Sequence, residues 1–400
     1  VLESEAFRLD ELYTAARERT GLTDLHEAGL GDRAKRLLEH IATHPALDEA
    51  GKRAGFDCVL EQVSNRALLL ADRERYPEIT QERIERPLIV TGLPRSGTTL
   101  MQSLLAEHPG ARTPLLWEVV RPSPPVGISA GVTDGTDPRV AQADADVSAM
   151  LRDQPSLLQF HPVFDRLSAT LMECEPFGAM DLRNLYNTAY WQVPTILQVD
   201  LGSGHAHDVA TYTFQRQVLQ ALQWRCPPRR WTLKGTEHHA RLGALKEVFP
   251  DAIVVWLHRD PLRFVPSLLE LLAGWFEGVT GAPVDRKVIG PMFLGMYRGM
   301  LDAGLASPVS KHPDTYHLRY ADFIGDPVGQ IERLHKHYDL PFDDHARDAM
   351  QAWYADPRNR GDRHGKSAYD LADFGMSEQQ IDAELAEYRE RFDIPYEGRS

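Results

Sequence analysis

The stretch Gly92-Leu93-Pro94-Arg95-Ser96-Gly97-Thr98-Thr99 carries the sharpest local chemistry in the chain, with G-x4-G spacing and one cation inside the turn. Glycines at that spacing permit tight backbone turns, and at a helix N-terminus the amides of residues 95–99 can point at an anion. A nucleoside-triphosphate enzyme places Lys after the second glycine to reach the β- and γ-phosphates. Here that residue is Thr98, and the nearest cation is Arg95. The loop therefore reads as a cradle for a 5′-phosphate that bears a different transferable group.

Such a loop works only between a buried strand and a helix. Pro87 opens PLIVTG, a short apolar run rich in β-branched residues, and TTLMQSLLAEH suits a helix that stops before Pro109. Trp231-Lys234 predicts a second strand, with a helix to about Phe249. AIVVWLHR at 252–259 predicts another buried strand with a helix after Pro261, and YHLRYADF at 316–323 a fourth strand with a helix before Pro341. Strands alternating with helices predict an α/β fold, a central parallel sheet flanked by helices. Residues 1–85 read as a helical N-terminal region packed on the core. Residues 86–400 read as the α/β domain, with 110–228 a largely helical insertion that binds an acceptor.

PLIVTGLPRSGTT resembles the 5′-phosphosulfate loop of the sulfotransferases that use 3′-phosphoadenosine-5′-phosphosulfate (PAPS). HRDPLRFVPS is similar to that family's 3′-phosphate motif, a strand-end Arg followed eight residues later by Ser, here Arg259 and Ser267. A forked, permanently charged guanidinium and a hydroxyl suit a phosphomonoester. The resemblance implies that Pro94, Arg95, Ser96, Gly97, Thr98 and Thr99 bind the donor's 5′ end. It implies a strand-borne lysine near the transferring sulfur, Lys234 of RWTLKGTEHH, and a contact to adenosine from Tyr320 in Tyr320-Ala321-Asp322. It also implies a late loop over the nucleotide, Arg360 to Lys366, with Arg363, His364, Gly365 and Lys366 among its ligands. LLWEVVRPSPP, HPVF, ECE and YDLADFGMS are similar in order to a bacterial branch of the family, so the resemblance runs along nearly the whole chain.

Cytosolic small-molecule members carry Lys-Thr-His with the histidine as general base; here that position is Thr236, and Arg95 replaces their first-loop lysine. The acceptor hydroxyl must still lose its proton to a group within hydrogen-bond reach. Glu173, Glu175, His161, His238 and His239 are the groups at hand. The bacterial pattern of a carboxylate before Cys, here Glu173-Cys174, favours Glu173, while a structural ion pair or a contact orienting Arg95 stays open for it. His238 and His239 read as surface or capping residues at a helix start, and His161 as a loop residue. Arg95 and Lys234 on the leaving and transferring oxygens, with loop amides on the 5′-phosphate, predict a metal-independent transfer that leaves adenosine 3′,5′-bisphosphate (PAP). Two other readings are a P-loop kinase of small molecules, which Thr98 opposes, and a non-catalytic nucleotide-binding protein that has lost the base.

With 44 Lys+Arg against 58 Asp+Glu the 400-residue chain carries a formal charge of −14, which argues against non-specific nucleic-acid or anionic-membrane binding. Anion recognition must then be local. Cys58, Cys174 and Cys226 are odd in number and far apart, so neither a disulfide framework nor a zinc cluster is expected. The start, VLESEAFRLDELY, is acidic and amphipathic, and no apolar run nears the roughly 20 residues that span a bilayer; a cytoplasmic location is expected. Aromatics in 110–228 and 270–310, among them Trp117, Phe160, Phe164, Phe177, Tyr186, Tyr190, Trp191, Trp275, Phe276 and Phe293, predict a cleft for a small, hydrophobic hydroxyl acceptor such as a phenol, sterol or lipid. Carbohydrate is the polar alternative.

Overall fold

Strands β1 (Leu88–Thr91), β2 (Ala111–Arg112), β3 (Arg230–Lys234), β4 (Ile253–His258) and β5 (Thr315–Arg319) form one sheet in the order β2-β3-β1-β4-β5. Every pairing in it is parallel. This computed structural model describes residues 8–129, 137–155, 157–183, 204–280, 283–364 and 370–397. Strands β1 and β4 are buried at every position, as parallel strands covered on both faces must be. Alternation by two sorts their side chains. Leu88, Val90, Ile253, Val255 and Leu257 pack with Met101, Leu104 and Phe323 on one face. Ile89, Val254 and Trp256 join Trp231, Phe264 and Phe293 on the other. Each such fully buried side chain contributes about 1.5–3 kcal/mol.

The strand order matters for the site. From β1 the chain passes to the β2 edge, returns as β3 beside β1, and then crosses to β4 on β1's other side. The ends of β3, β1 and β4 therefore border the switch point where open α/β sheets bind ligands.

Helices α1 (Leu9–Thr20), α2 (Gly31–Thr43) and α3 (Glu49–Arg75) precede the sheet. On α2, Ala34, Leu37, Leu38 and Ile41 recur at helical spacing and pack with Leu12, Ala16, Phe56 and Val63 into a cluster of their own. Gly21, at φ 70°, ends α1 by returning its N–H to the Arg17 carbonyl at 2.8 Å. Asp181 ties this bundle down, accepting from Arg33 Nη2 (3.0 Å), Arg66 Nε (2.7 Å) and Arg183. Beyond β1 lie α4 (Thr98–Ala106), α5 (Pro138–Asp153), α6 (Glu175–Met180), α7 (His205–Gln223), α8 (Pro261–Thr280) and α9 (Arg286–Ala306).

Several expectations change. The strand expected over 316–323 stops at Arg319, because Arg319 Nε bonds Asp322 at 2.7 Å across the first turn of a helix over Tyr320–Gly325. The two-residue β2 was not anticipated. The segment after Lys234 is a 3-10 turn over His238–Arg241 before a helix over Leu242–Val248, and both histidines are fully buried rather than on the surface. Trp117, Phe177, Phe276 and Phe293 belong to the core instead of a cleft wall. Tyr186, Tyr190 and Trp191, and the side chains of Phe160 and Trp275, lie outside the described residues. No helix among the described residues is long and apolar enough to cross a membrane.

Candidate active site

The loop after β1 has the shape its glycines dictate. A Cβ on Gly92 (φ 140°) would lie 2.5 Å from the Leu257 carbonyl oxygen, and one on Gly97 (φ 92°) 2.8 Å from the Tyr320 ring. Arg95 also has a left-handed backbone, φ 69°, a conformation that costs a non-glycine residue on the order of 1–3 kcal/mol. The loop is clamped there from two sides. Ser96 donates its N–H and hydroxyl to the Leu93 carbonyl at 3.2 and 2.6 Å, and Arg259 Nη1 donates to the Arg95 carbonyl at 2.8 Å. Helix α4 then starts from Gly97, which supplies no side-chain cap, so its first amides are available to an anion.

Arg259 leaves the end of β4 with its guanidinium 4.0 Å over the Tyr320 ring. Its Nε and Nη2 fork onto the Glu397 carboxylate at 3.0 and 2.9 Å. Ser267, on α8, accepts from Arg95 Nε at 3.0 Å. Arg95, Arg259, Ser267, Tyr320 and Gly97 are thus brought together. Arg95, expected together with Lys234 on the leaving and transferring oxygens, bonds Ser267 through its guanidinium in this structure. Thr98 is buried and Thr99 exposed, while Ser96 is turned inward.

Lys234 ends β3, level with Val90 of β1, and its Nζ contacts Glu173 Oε1 and Thr99 Oγ1, the latter at 3.3 Å. Gly235, which follows it, has the His238 ring where a Cβ would sit, 2.6 Å from Nε2. Glu173 is positioned by its backbone. Cys174 N–H donates to the Lys234 carbonyl (2.7 Å), Met172 N–H to the Pro114 carbonyl (2.8 Å), and Gln102 of α4 to the Met172 carbonyl (2.9 Å). The residue at the family's histidine position, Thr236, donates its N–H to Glu175 Oε1 at 3.0 Å. Burial, then the neighbouring Glu173 and Glu237, push the Glu175 carboxyl well above the usual range.

Two further groups belong to this end. Burial holds the His161 imidazole down to about 4, with Glu173 opposing and Lys234 and Arg95 reinforcing it, so all three charges are felt there. Burial followed by Glu175 and Glu173 raises the Tyr297 phenol, on α9. His238 bonds Tyr212 Oη at 2.9 Å, His239 packs against Trp256, and both rings are fully buried, which keeps them from an acceptor hydroxyl that enters from solvent. Arg363 and His364 both hold Asp165, at 2.7 and 2.9 Å, four residues from His161. Gly365 and Lys366 lie outside the described residues. Gln102, Tyr297 and Glu397 were missed: a helix-face Gln, an aromatic at core spacing and a lone late Glu carry no sequence signal.

The chain matches the Sulfotransferase family over residues 87–344. Omega-hydroxy-beta-dihydromenaquinone-9 sulfotransferase Stf3 of Mycobacterium bovis is 35% identical over 136 residues, 32% of this chain and 34% of that protein, so the matched stretch spans about a third of the relative. The same holds for Stf3 of Mycobacterium tuberculosis. Sulfotransferase STF9 of Mycobacterium avium superposes with a TM-score of 0.86 at 26% identity, covering 100% of both chains. Sulfotransferase STF1 of Mycobacterium tuberculosis shares the fold with a TM-score of 0.79 at 24% identity, over 96% of this chain and 100% of that one. With its switch-point loop, strand-end cations and 87–344 match, the chain belongs to the sulfotransferase family.

Proposed function

We propose that the protein transfers the sulfuryl group of PAPS to the hydroxyl of a small hydrophobic acceptor. The observation that carries this reading is the convergence, across the ends of three neighbouring strands, of the α4 amides, Arg95, Arg259, Ser267 and Lys234. The residues fit a doubly anionic nucleotide: a carboxylate already lies forked on Arg259, and the loop at Gly97 leaves no room for a side chain. Pro94 to Thr99 would hold the 5′ end, Arg259 and Ser267 the 3′-phosphate, and Tyr320 the nucleoside. Arg363 and His364, with Gly365 and Lys366, would reach over it. Bound there, the donor supplies an activated sulfuryl group whose S–O bond to the 5′-phosphate breaks as the acceptor oxygen attaches.

The protein's own part is positioning and charge. Lys234 Nζ would meet the sulfuryl oxygens, and Arg95, bonded to Ser267 yet felt at His161, would link the donor clamp to the transferring end. Glu173, in contact with Lys234 Nζ, accepts the acceptor's proton, since burial raises the Glu175 carboxyl and encloses His238 and His239 completely. These cations replace a metal. The family match removes the kinase reading. Stf3 is named for a hydroxylated menaquinone lipid, which supports an apolar hydroxylated acceptor here over a carbohydrate.

The test is PAP release from PAPS with a panel of hydroxylated prenyl lipids, phenols, sterols and sugars, with and without EDTA. Turnover on an apolar member, unchanged by EDTA, is expected. PAP binding without turnover on any acceptor would leave a non-catalytic nucleotide binder.

A further inference from the structure

The Arg259 guanidinium is engaged on every nitrogen. Nη1 donates to the Arg95 carbonyl at 2.8 Å, and Nε and Nη2 donate to Glu397 at 3.0 and 2.9 Å. The edge that would fork onto a 3′-phosphate is therefore taken by a carboxylate of the same chain. We infer that Glu397 is an internal competitor for the 3′-phosphate: it closes on Arg259 when the site is empty and must swing away for donor or product to bind. This rests on the reading of Arg259 and Ser267 as 3′-phosphate ligands.

The exchange requires only a side-chain rotation, because the backbone beneath Glu397 is fixed independently. Glu397 N–H donates to Asp260 Oδ2 at 2.8 Å, and Arg263 donates to the Glu397 carbonyl at 3.2 and 3.1 Å. Asp260 is itself held by Arg389 at 2.6 Å, and Arg389 lies 3.7 Å over the Tyr396 ring. The two pairs differ where it matters. Arg259 and Glu397 side chains are 22% and 23% exposed, against 10% and 1% for Arg389 and Asp260. A partly exposed pair is weak enough to exchange, whereas a buried one is not.

The chemistry of the competitor sets the direction. A phosphomonoester brings about −1.5 to −2 charges and three acceptor oxygens to the fork where Glu397 brings one charge and two oxygens. The 3′-phosphate wins, but its net gain is reduced by what Glu397 gives up. The same competition favours departure of PAP, since the vacated fork is recaptured within the chain.

Calorimetric titration of purified protein with PAP and with adenosine 5′-monophosphate tests this, using Glu397→Gln and Arg259→Ala variants. Glu397→Gln is expected to tighten PAP by about fivefold, the worth of a partly exposed ion pair, with the monophosphate unchanged. Equal tightening of both nucleotides would overturn local competition in favour of general charge. Unchanged PAP affinity in Glu397→Gln, with PAP weakened in Arg259→Ala, would overturn the competitor and leave the 3′-phosphate reading standing. Unchanged PAP affinity in Arg259→Ala would overturn that reading, and the competitor with it.

Discussion

Two arginine–carboxylate clusters in this molecule share their chemistry and differ in burial. Asp181, with 3% of its side chain exposed, is gripped by Arg33, Arg66 and Arg183, whose side chains are 12%, 10% and 20% exposed. Glu397 and Arg259 are each more than a fifth exposed, and their backbone N–H groups are held outside the pair, by Asp260 and by the Tyr388 hydroxyl. The first cluster cannot be opened without stranding charges in a low-dielectric interior, so it serves as a bolt between the N-terminal helices and the sheet-bearing core. The second can trade its carboxylate for another oxyanion at small cost. Arginine content alone does not distinguish a structural knot from a ligand clamp; solvent access and an alternative partner do.

Asp181→Ala is the largest test of that contrast. It should cost about 3–5 kcal/mol of unfolding free energy in chemical denaturation, because three arginines lose their counter-charge. A cost below about 1 kcal/mol would erase the distinction. Lys234→Ala comes next: turnover should fall by about 10²–10³-fold, with PAP affinity changed only a few-fold, since Lys234 serves the transferring end. Collapse of PAP affinity instead would move Lys234 into the donor clamp.

Acid should act on the buried part before the exchangeable part. Burial, with Arg241 adding, pushes His238 down to about 3, whereas the unfolded chain takes up that proton near its ordinary value of 6.5. His239, held to about 4 by burial, behaves alike. Between those values the unfolded state binds more protons, so stability is whole above pH 6.5 and declines as pH drops towards 3. Denaturation midpoints at pH 7.5, 5.5 and 4.5 should fall in that order; a flat series would contradict the buried, neutral state of these rings. The smallest effect is expected for Glu397→Gln, under about 1 kcal/mol of stability. A larger loss would make Glu397 a second bolt.

The donor end was legible in the sequence to the extent that its parts are local. Leu88–Thr91 is buried on both faces and so reads as an uninterrupted apolar run, and the two glycines mark the turn after it. The Arg259 and Ser267 interval is a strand-to-helix distance that one motif contains. What was not legible depends on contacts between distant segments. Arg95 finds Ser267 172 residues away, and Glu397 finds Arg259 across 138. The burial of His238 and His239 follows from α7 and α9 packing over a turn that sequence patterns show as polar. Strand β2, two residues long, is too short for any periodicity.

Strand order also has a kinetic consequence. Strand β1 is paired on one side with residues 232–234 and on the other with 253–256, so the three strand ends that carry the loop, Lys234 and Arg259 come into line only after two long-range pairings have formed. Closing loops of that length precedes any reward from the contacts they bring, which makes such sheets slow to assemble. The helical bundle at residues 9–75 has a core of its own and much shorter loops to close. During refolding, helical structure should therefore return well ahead of nucleotide binding, and a chain arrested between the two stages would be folded in part yet blind to its ligand.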